Sequence, residues 1–164
     1  MSSNIYIGYQ GIGKSSTANA KNGFIDLESS NFRLEDVNRP KDWYKYYVNL
    51  AFALAKQGYK VFVSSHDIVR KEIGRFKNKN NINVAIIHPS LSLKEDWIKR
   101  LEKRFNDNPS YKNELAYLNT KNHYADNIKE MISDSVSFGF DNICIETINY
   151  KLIDIIKNYY FVAT

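Results

Sequence analysis

The chain has 164 residues, is 43% hydrophobic and carries a formal net charge of +5, which suits one domain with a sizeable core and is too short for two typical domains. It contains no run near the roughly 18 apolar residues of a membrane span, and its Met-Ser-Ser-Asn start lacks the basic and apolar regions of a secretory signal, so we expect a cytoplasmic protein without membrane association. Cys144 is the only cysteine, which excludes an intramolecular disulfide, and the apolar run around it predicts a buried, inert thiol.

Strand-like runs alternate with helix-length segments along the chain. The runs are rich in Ile, Val and Phe and hardly alternate with polar residues, as is typical of strands buried on both faces. This order predicts an α/β fold, a three-layer α/β/α sandwich with a five-stranded parallel sheet and a ligand site at the carboxyl ends of the strands. The predicted strands are Asn4 to Ile7, Phe24 to Leu27, Lys60 to Ser65, Ile82 to Ile87 and Asn142 to Ile145.

Helix start and stop signals separate these strands. A first helix is predicted from Lys14 to about Asn22, and a second from Pro40 to Gly58 with an apolar face. A third carries Ile68, Val69, Ile73 and Phe76 at helical spacing. The spacing of Ser92 and Glu95 predicts a capping box that opens a fourth helix. Helical pattern resumes at Tyr111, breaks near Asn119 to Lys121 and continues to about Val136, and a last helix runs from Leu152 to Asn158.

The most informative motif follows the first strand directly. Gly8-Tyr9-Gln10-Gly11-Ile12-Gly13-Lys14-Ser15 fits the phosphate-binding pattern G-x-x-x-x-G-K-[ST]. A strand that delivers a glycine-rich loop into a helix start directs backbone N–H groups at one spot, where a helix dipole also favours an anion. Lys14 is expected to reach the β and γ phosphates of a nucleotide, and the Ser15 hydroxyl to bind Mg²⁺. The predicted nucleotide-binding residues of the loop are Gly8, Gly11, Ile12, Gly13, Lys14, Ser15 and Ser16.

Kinases, GTPases and motor ATPases share this loop, so other residues must discriminate between them. The Asn-Lys-x-Asp pattern that reads guanine is absent, and no Asp-x-x-Gly follows a third strand. With its phosphate loop, Asp26 after the second strand and an Arg-bearing helix after the fourth, the chain resembles the small nucleoside monophosphate kinase and shikimate kinase-like families, including compact bacteriophage versions. The resemblance covers nearly the whole length in the order of elements.

The resemblance implies an ATP-dependent, Mg²⁺-requiring phosphotransferase whose acceptor is a small molecule, foremost a nucleoside or deoxynucleoside monophosphate. The loop after the second strand then faces the acceptor, so Asp26 would align the acceptor or the metal, with Ser29, Ser30 and Arg33 as further acceptor contacts. If the acceptor is a hydroxyl compound, Asp26 is expected to accept its proton. A strand end with a polar turn is the alternative for these residues.

Two arginines on the helix after the fourth strand are the remaining catalytic candidates. Arg100 and Arg104 are four residues apart and share one side of the helix, as lid arginines must if they clamp a transferring phosphoryl group. The lid-like segment is expected around residues 92–120. The competing interpretation is ordinary surface pairing, because Asp96 precedes Arg100 by four residues.

The ends of the third and fifth strands provide weaker candidates. Asp67 is a degenerate Walker B residue that could bind the metal or could cap the following helix. Arg70 could meet a substrate phosphate, although a solvated helix face is favoured. Asn149, after the fifth strand, could read the edge of adenine while Tyr150 packs on it; Trp43, Tyr44 and Tyr47 could stack an acceptor base but fit the core better.

Two other functions fit the same sequence. A nucleotide-binding regulatory or interaction protein could keep the phosphate loop without turnover, and the weak Walker B position is compatible with it. A kinase of nucleic-acid ends is permitted by the basic segments 70–79 and 94–104 but is not required by them, and neither segment interleaves aromatic residues in the manner of a base-stacking platform. The sequence does not indicate how many chains associate.

Overall fold

The computed structural model describes residues 2–19, 21–32 and 40–163, and in this part of the chain the fold is α/β with one all-parallel sheet. The strands lie in the order β2-β3-β1-β4-β5. Their bounds are β1 (Ile5–Gly8), β2 (Phe24–Asp26), β3 (Lys60–Ser64), β4 (Val84–Pro89) and β5 (Asp141–Ile145). The predicted five-stranded parallel sheet is confirmed.

Six α-helices connect and flank these strands in the described residues. Their bounds are α1 (Lys14–Thr17), α2 (Trp43–Lys56), α3 (Asp67–Phe76), α4 (Lys94–Asp107), α5 (Tyr111–Phe138) and α6 (Leu152–Ala163). Short 3₁₀ turns at Ser29–Asn31 and Leu91–Leu93 follow β2 and β4. Parallel strands require crossover connections, and right-handed crossovers in this strand order place α2, α3 and α5 on one face and α1 on the other; α6, which follows the last strand, contacts α1. Contacts of α3 with both α2 and α5, and of α1 with α6, agree with this arrangement, which is consistent with three layers.

The sheet is anchored at its centre by β1, whose four residues are all buried. Tyr6 pairs in register with Phe62 of β3, and the rings of Phe62 and Phe24 stack with centroids 5.1 Å apart. Gly8 pairs with Ser64 on one side and with Ile87 on the other. The chain therefore leaves the middle of the sheet at Gly8, at the edge where the carboxyl ends of all five strands meet.

The first helix is shorter than predicted. It ends at Thr17, and Ala18 is already extended. Asn19 then forms an antiparallel bridge with Phe24, and Asn22 donates its side-chain amide to the Thr17 carbonyl while accepting from the Phe24 amide. Asparagine side chains that bond to nearby backbone groups compete with helix continuation, and here they replace it by a tight turn into β2.

The start of α4 and the break in α5 also differ from prediction. The capping box is wrong, because a 3₁₀ turn precedes α4, its N-cap Leu93 makes no side-chain cap, and the Ser92 hydroxyl bonds to Ser90 instead. The predicted break in the long helix exists but lies at His123, whose φ of −135° is non-helical.

Several residues predicted to be buried are exposed. Cys144 is exposed because β5 is an edge strand whose burial alternates, with Ile143 and Ile145 facing the core. On the predicted apolar helix faces, Leu50, Ile68 and Phe76 are each more than a third exposed. Trp43 and Tyr47 are buried, as the core interpretation expected.

A search of the described helices finds none that is both long enough and apolar enough to cross a bilayer.

The Tyr47 hydroxyl joins the ends of β2 and β3, since it donates to the Leu27 carbonyl at 2.6 Å and accepts from the Ser64 amide at 2.9 Å. We expect Tyr47→Phe to lower the free energy of unfolding by about 1–3 kcal/mol, because both backbone groups lose their partner. Tyr46→Phe, one position earlier and 61% exposed, is the matched control and should change it by less than about 0.5 kcal/mol. Urea denaturation measures both; equal effects would contradict the bridging role.

Candidate functional site

A cleft of about 1070 Å³ opens at the carboxyl edge of the sheet. The glycine-rich loop, the ends of β2 and β3, and helices α3, α4 and α5 line it. Predicted site residues that line this cleft are Gly11, Gly13, Lys14, Ser15, Ser16, Asp26, Asp67, Arg100 and Arg104. Gly8 and Ile12 support the loop from beneath, and Asn149 lies outside the cleft lining.

The glycines of the loop are required by its shape. Gly11 and Gly13 have φ values of 83° and 105°, a region that residues with a side chain rarely adopt. A Cβ atom at Gly8 would lie 2.5 Å from Cδ1 of the buried Ile12. The loop can therefore turn tightly over the end of β1 only with glycine at these positions.

Three consecutive carbonyl groups of the loop are held from outside it. The indole Nε1 of Trp97 donates to the Gln10 carbonyl at 2.9 Å, and the Arg100 guanidinium donates to the Gly11 carbonyl at 3.2 Å. The Tyr150 hydroxyl donates to the Ile12 carbonyl at 2.8 Å. Donors from α4 and from the segment before α6 thus fix the orientation of three peptide planes.

Several amide groups of the glycine-rich loop lack acceptors. None of the described residues accepts a hydrogen bond from the amides of Gly11, Gly13, Lys14 or Ser15, and these four residues line the cleft. Gly11, Gly13 and Lys14 are partly exposed and Ser15 is exposed. Successive free N–H groups of this kind can form a concave anion site. Because α1 is a single turn, an attraction for an anion would come from the amides rather than from a long helix dipole.

Lys14 is the cation closest to these amides in sequence and is held within the site. Its Nζ donates to the Gly8 carbonyl at 3.0 Å. Burial lowers the pKa of Lys14 to about 8, although the carboxylates of Asp26 and Glu28 oppose this shift and the cations Lys112 and Arg104 add to it. An arriving phosphate would restore the charge that burial disfavours.

Two carboxylates at the end of β2 face Lys14. Burial raises the pKa of Asp26, and Lys14 is the largest influence in the opposite direction. For Glu28, burial is the largest single influence and raises the pKa. The hydrogen bond and charge of Lys112, together with the Ser30 amide and the charge of Lys14, lower the pKa by more, so its net shift is downward. The Lys112 ammonium bonds directly to Glu28 and connects α5 to the segment after β2. The pKa values of the two carboxyl groups are thus shifted in opposite directions.

The two predicted lid arginines have different environments. Arg100 donates to the Tyr150 hydroxyl and to the Ile148 carbonyl, both at 2.8 Å, and its guanidinium lies 4.4 Å from the Trp97 ring centroid. Arg104 donates only its Nε, to Asn113 Oδ1 at 2.9 Å, and its terminal nitrogens have no partner among the described residues. Arg100 is committed to the framework of the site, whereas Arg104 keeps donors for a ligand.

The two candidate residues after β3 also have different environments. Asp67 lines the cleft as the exposed first residue of α3, whose N-cap is His66, so the helix-capping alternative for Asp67 is wrong. Arg70 is 4% exposed and bonds to the Ser65 carbonyl and to Glu130 and Asp134 of α5, so the solvated-face interpretation is also wrong.

Metal ligands can be assessed from the same residues. No group of three His, Cys, Asp or Glu side chains that could hold a metal occurs in the described part of the chain. Mg²⁺ normally keeps several waters and binds through one or two protein ligands plus substrate phosphates. The Ser15 hydroxyl and the Asp67 carboxylate, which line the same cleft, fit that manner of binding.

Some site residues were not found from the sequence. Trp97, which the sequence did not mark as a site residue, anchors the loop, and Gln10 donates to Thr120 and to the Ala116 carbonyl of α5. No local sequence signal marks such contacts, because their partners are about 90 to 110 residues apart. Arg33, a predicted acceptor contact, lies outside the described residues.

The sequence matches no protein-family model and no curated protein at a significant level.

The Tyr150 hydroxyl provides a test of the anchored loop. We expect Tyr150→Phe to weaken ATP binding about two- to tenfold, because one carbonyl and Arg100 each lose a partner worth about 0.5–1.5 kcal/mol. Calorimetric titration with Mg·ATP measures the change. Tyr59→Phe, outside the cleft lining, is the control, and equal affinities for all three proteins would contradict the anchoring role.

The lowered pKa of Lys14 gives a test by proton linkage. Free Lys14 loses its proton as pH rises through about 8, whereas a bound phosphate favours the charged form, so binding takes up a proton above that pH. We expect ATP affinity to fall up to about tenfold per pH unit above pH 8. Proton uptake should rise from near zero at pH 7 to nearly one at pH 9.5.

Calorimetry in buffers of different ionisation enthalpy measures this uptake. The control is Lys14→Met, which should show no uptake in this range. Uptake that persists in the variant would assign the proton to another group.

Proposed function

We propose that the protein is a phosphate-loop kinase that moves the γ-phosphoryl group of ATP to a small acceptor, with a nucleoside or deoxynucleoside monophosphate as the first acceptor to test. One observation carries the proposal: the free amides of the loop, Lys14, Arg104 and Asp26 line a single cleft at the carboxyl ends of parallel strands. Anion-binding donors and a carboxylate in one site are what phosphoryl transfer requires.

The donor side of the reaction follows from the loop. Its amides and the Lys14 ammonium would bind the β and γ phosphates, and Arg104 would donate its terminal nitrogens to the charge that develops on the transferring group. Mg²⁺, held through Ser15 and Asp67 with water and phosphate oxygens, supplies further neutralisation of phosphate charge when it is bound. Positioning and charge neutralisation then account for catalysis, since little covalent chemistry is asked of the protein.

The acceptor side depends on Asp26. The acceptor oxygen attacks the γ phosphorus as the bond to the β–γ bridging oxygen breaks, and ADP leaves. A phosphate acceptor needs no strong base, so Asp26 would only orient it. If the acceptor is a hydroxyl group, its proton passes to Asp26, and burial, which raises the pKa of this carboxyl, makes it a better base.

Arg100 is proposed as a positioning residue. Its donors bond to the Gly11 carbonyl, the Tyr150 hydroxyl and the Ile148 carbonyl. It would act on the reaction through the loop that it holds. Arg104 is therefore preferred to Arg100 as the arginine that contacts the transferring phosphoryl group.

We expect Lys14→Ala to reduce phosphoryl transfer by at least about a hundredfold, the usual scale for losing a donor to developing charge. The variant should stay folded, because Lys14 Nζ makes one hydrogen bond, to the Gly8 carbonyl. Lys94→Ala, exposed at the start of α4 and outside the cleft lining, is the control. Normal turnover by Lys14→Ala would contradict the proposal.

Mass spectrometry of products from nucleosides, monophosphates and oligonucleotides, together with ADP release, is the measurement. Transfer to monophosphates supports the first acceptor class. Transfer only to oligonucleotide ends would indicate the nucleic-acid kinase, and tight ATP binding without transfer to any of these acceptors would favour the regulatory protein.

A further inference from the structure

One face of α5 forms a wall of the cleft. Tyr111, Leu115 and Asn119 all line it, and residues four apart on a helix lie above one another on one side. Tyr111 is 68% exposed and Leu115 is 39% exposed. The cleft is otherwise lined largely by polar side chains, so these two place apolar surface where a ligand can reach it.

The segment after β2 faces this wall. The Lys112 ammonium, adjacent to Tyr111, bonds to Glu28 across the cleft, and Ser29 and Ser30 follow Glu28 on the same side. The space between the two walls is continuous with Asp26 and Lys14, since all of these residues line one cavity. A molecule held there would lie on the acceptor side of the phosphate loop.

The side chains of the α5 wall indicate which chemical groups such a molecule contains. An exposed tyrosine ring next to a leucine suits a planar, weakly polar group, which stacks on the ring and removes apolar surface from water. Asn119 accepts from Asn127 through Oδ1 and has its amide nitrogen left to donate. A ring bound between α5 and the serines could therefore stack through its face and form hydrogen bonds through its polar edge.

The three aromatic residues of α2 named as stacking candidates, Trp43, Tyr44 and Tyr47, do not line the cleft. Trp43 and Tyr47 are buried, and the Tyr47 hydroxyl is bonded to the backbone of β2 and β3. Tyr44 is partly buried. Of the tyrosines that do line the cleft, Tyr9 is buried and Tyr111 is exposed.

We propose that Tyr111, Leu115 and Asn119 form a binding site for the heteroaromatic ring of the acceptor, with Tyr111 as the stacking residue and Asn119 as a donor to the ring edge. The identity of the ring-bearing molecule as the phosphoryl acceptor rests on the proposed function. The ring site itself depends only on the wall geometry. It selects nucleoside-like compounds over sugars and sugar phosphates without a ring base.

The experiment compares ligands with and without a ring base, and the pair adenosine 5′-monophosphate and ribose 5-phosphate isolates the contribution of the base. Thymidine 5′-monophosphate, adenosine 5′-monophosphate, adenosine and ribose 5-phosphate are titrated by calorimetry into protein saturated with a non-hydrolysable ATP analogue. We expect at least one base-containing compound to bind at least fivefold more tightly than ribose 5-phosphate, the lower end for one base stacked on an aromatic ring.

Substitutions on α5 test whether its wall of the cleft causes this preference. Tyr111→Ala should weaken the base-containing ligand at least fivefold and leave ribose 5-phosphate and the ATP analogue unchanged, while Tyr111→Phe restores binding because the ring is kept. Leu118→Ala is the control, since Leu118 is 40% exposed on the same helix but does not line the cleft. Asn119→Ala should shift the preference among bases.

The outcomes separate the two proposals. No preference for base-containing ligands, or an undiminished preference in Tyr111→Ala, overturns the ring site even if the protein transfers phosphate. Base-dependent binding that Tyr111→Ala abolishes supports the ring site even if no phosphoryl transfer is detected, and in that case the kinase proposal alone fails.

Discussion

The site depends on hydrogen bonds that fix the carbonyl groups of the glycine-rich loop. Trp97, Arg100 and Tyr150 satisfy the carbonyls of Gln10, Gly11 and Ile12 in turn. Once a peptide plane is fixed through its carbonyl, its N–H direction is fixed as well. Amides at the turn are therefore oriented before any ligand arrives, and a preorganised donor costs little reorganisation when charge develops.

Charge balance in the cleft follows from this geometry. A loop lined with amides attracts anions, and Lys14 lies within it with a pKa lowered to about 8, chiefly by burial. The carboxylates of Asp26 and Glu28 oppose that shift and keep part of the cationic character of Lys14. Arg70 is already paired with acidic residues of α5. Among the cations that line the cleft, Arg104 stands out because its terminal nitrogens have no partner among the described residues.

Helix α5 links the parts of the site to one another. Its residue Thr120 contacts Tyr9 and Gln10 of the loop, and Lys112 bonds to Glu28 after β2. Beyond the irregular residue His123, its second half pairs with Arg70 of α3. Helix α5 thus contacts three parts of the site: the glycine-rich loop, helix α3, and the segment that follows β2. A ligand that contacts α5 would therefore affect all three.

Much of the architecture could be predicted from the sequence because it is encoded locally. Buried β-strands are recognisable from short apolar runs. The loop is recognisable from its glycines, because Gly11 and Gly13 adopt positive φ angles that other residues rarely adopt. Even so, local signals failed where side chains compete with the backbone: Asn19 and Asn22 end α1 early, and Ser92 bonds to Ser90 rather than to a helix amide.

The roles of individual side chains were decided by the tertiary structure. Arg100 and Arg104 lie four residues apart on α4. Arg100 nevertheless contacts a loop 89 residues away, whereas Arg104 retains free donors. The burial of Trp43 and Tyr47 was decided in the same way, because it depends on what packs against them. The sequence by itself determined that a glycine-rich loop directly follows the first strand of a parallel sheet. Only folding determined that this strand lies at the centre of the sheet and which donors orient the loop, since those contacts join segments that no local pattern relates.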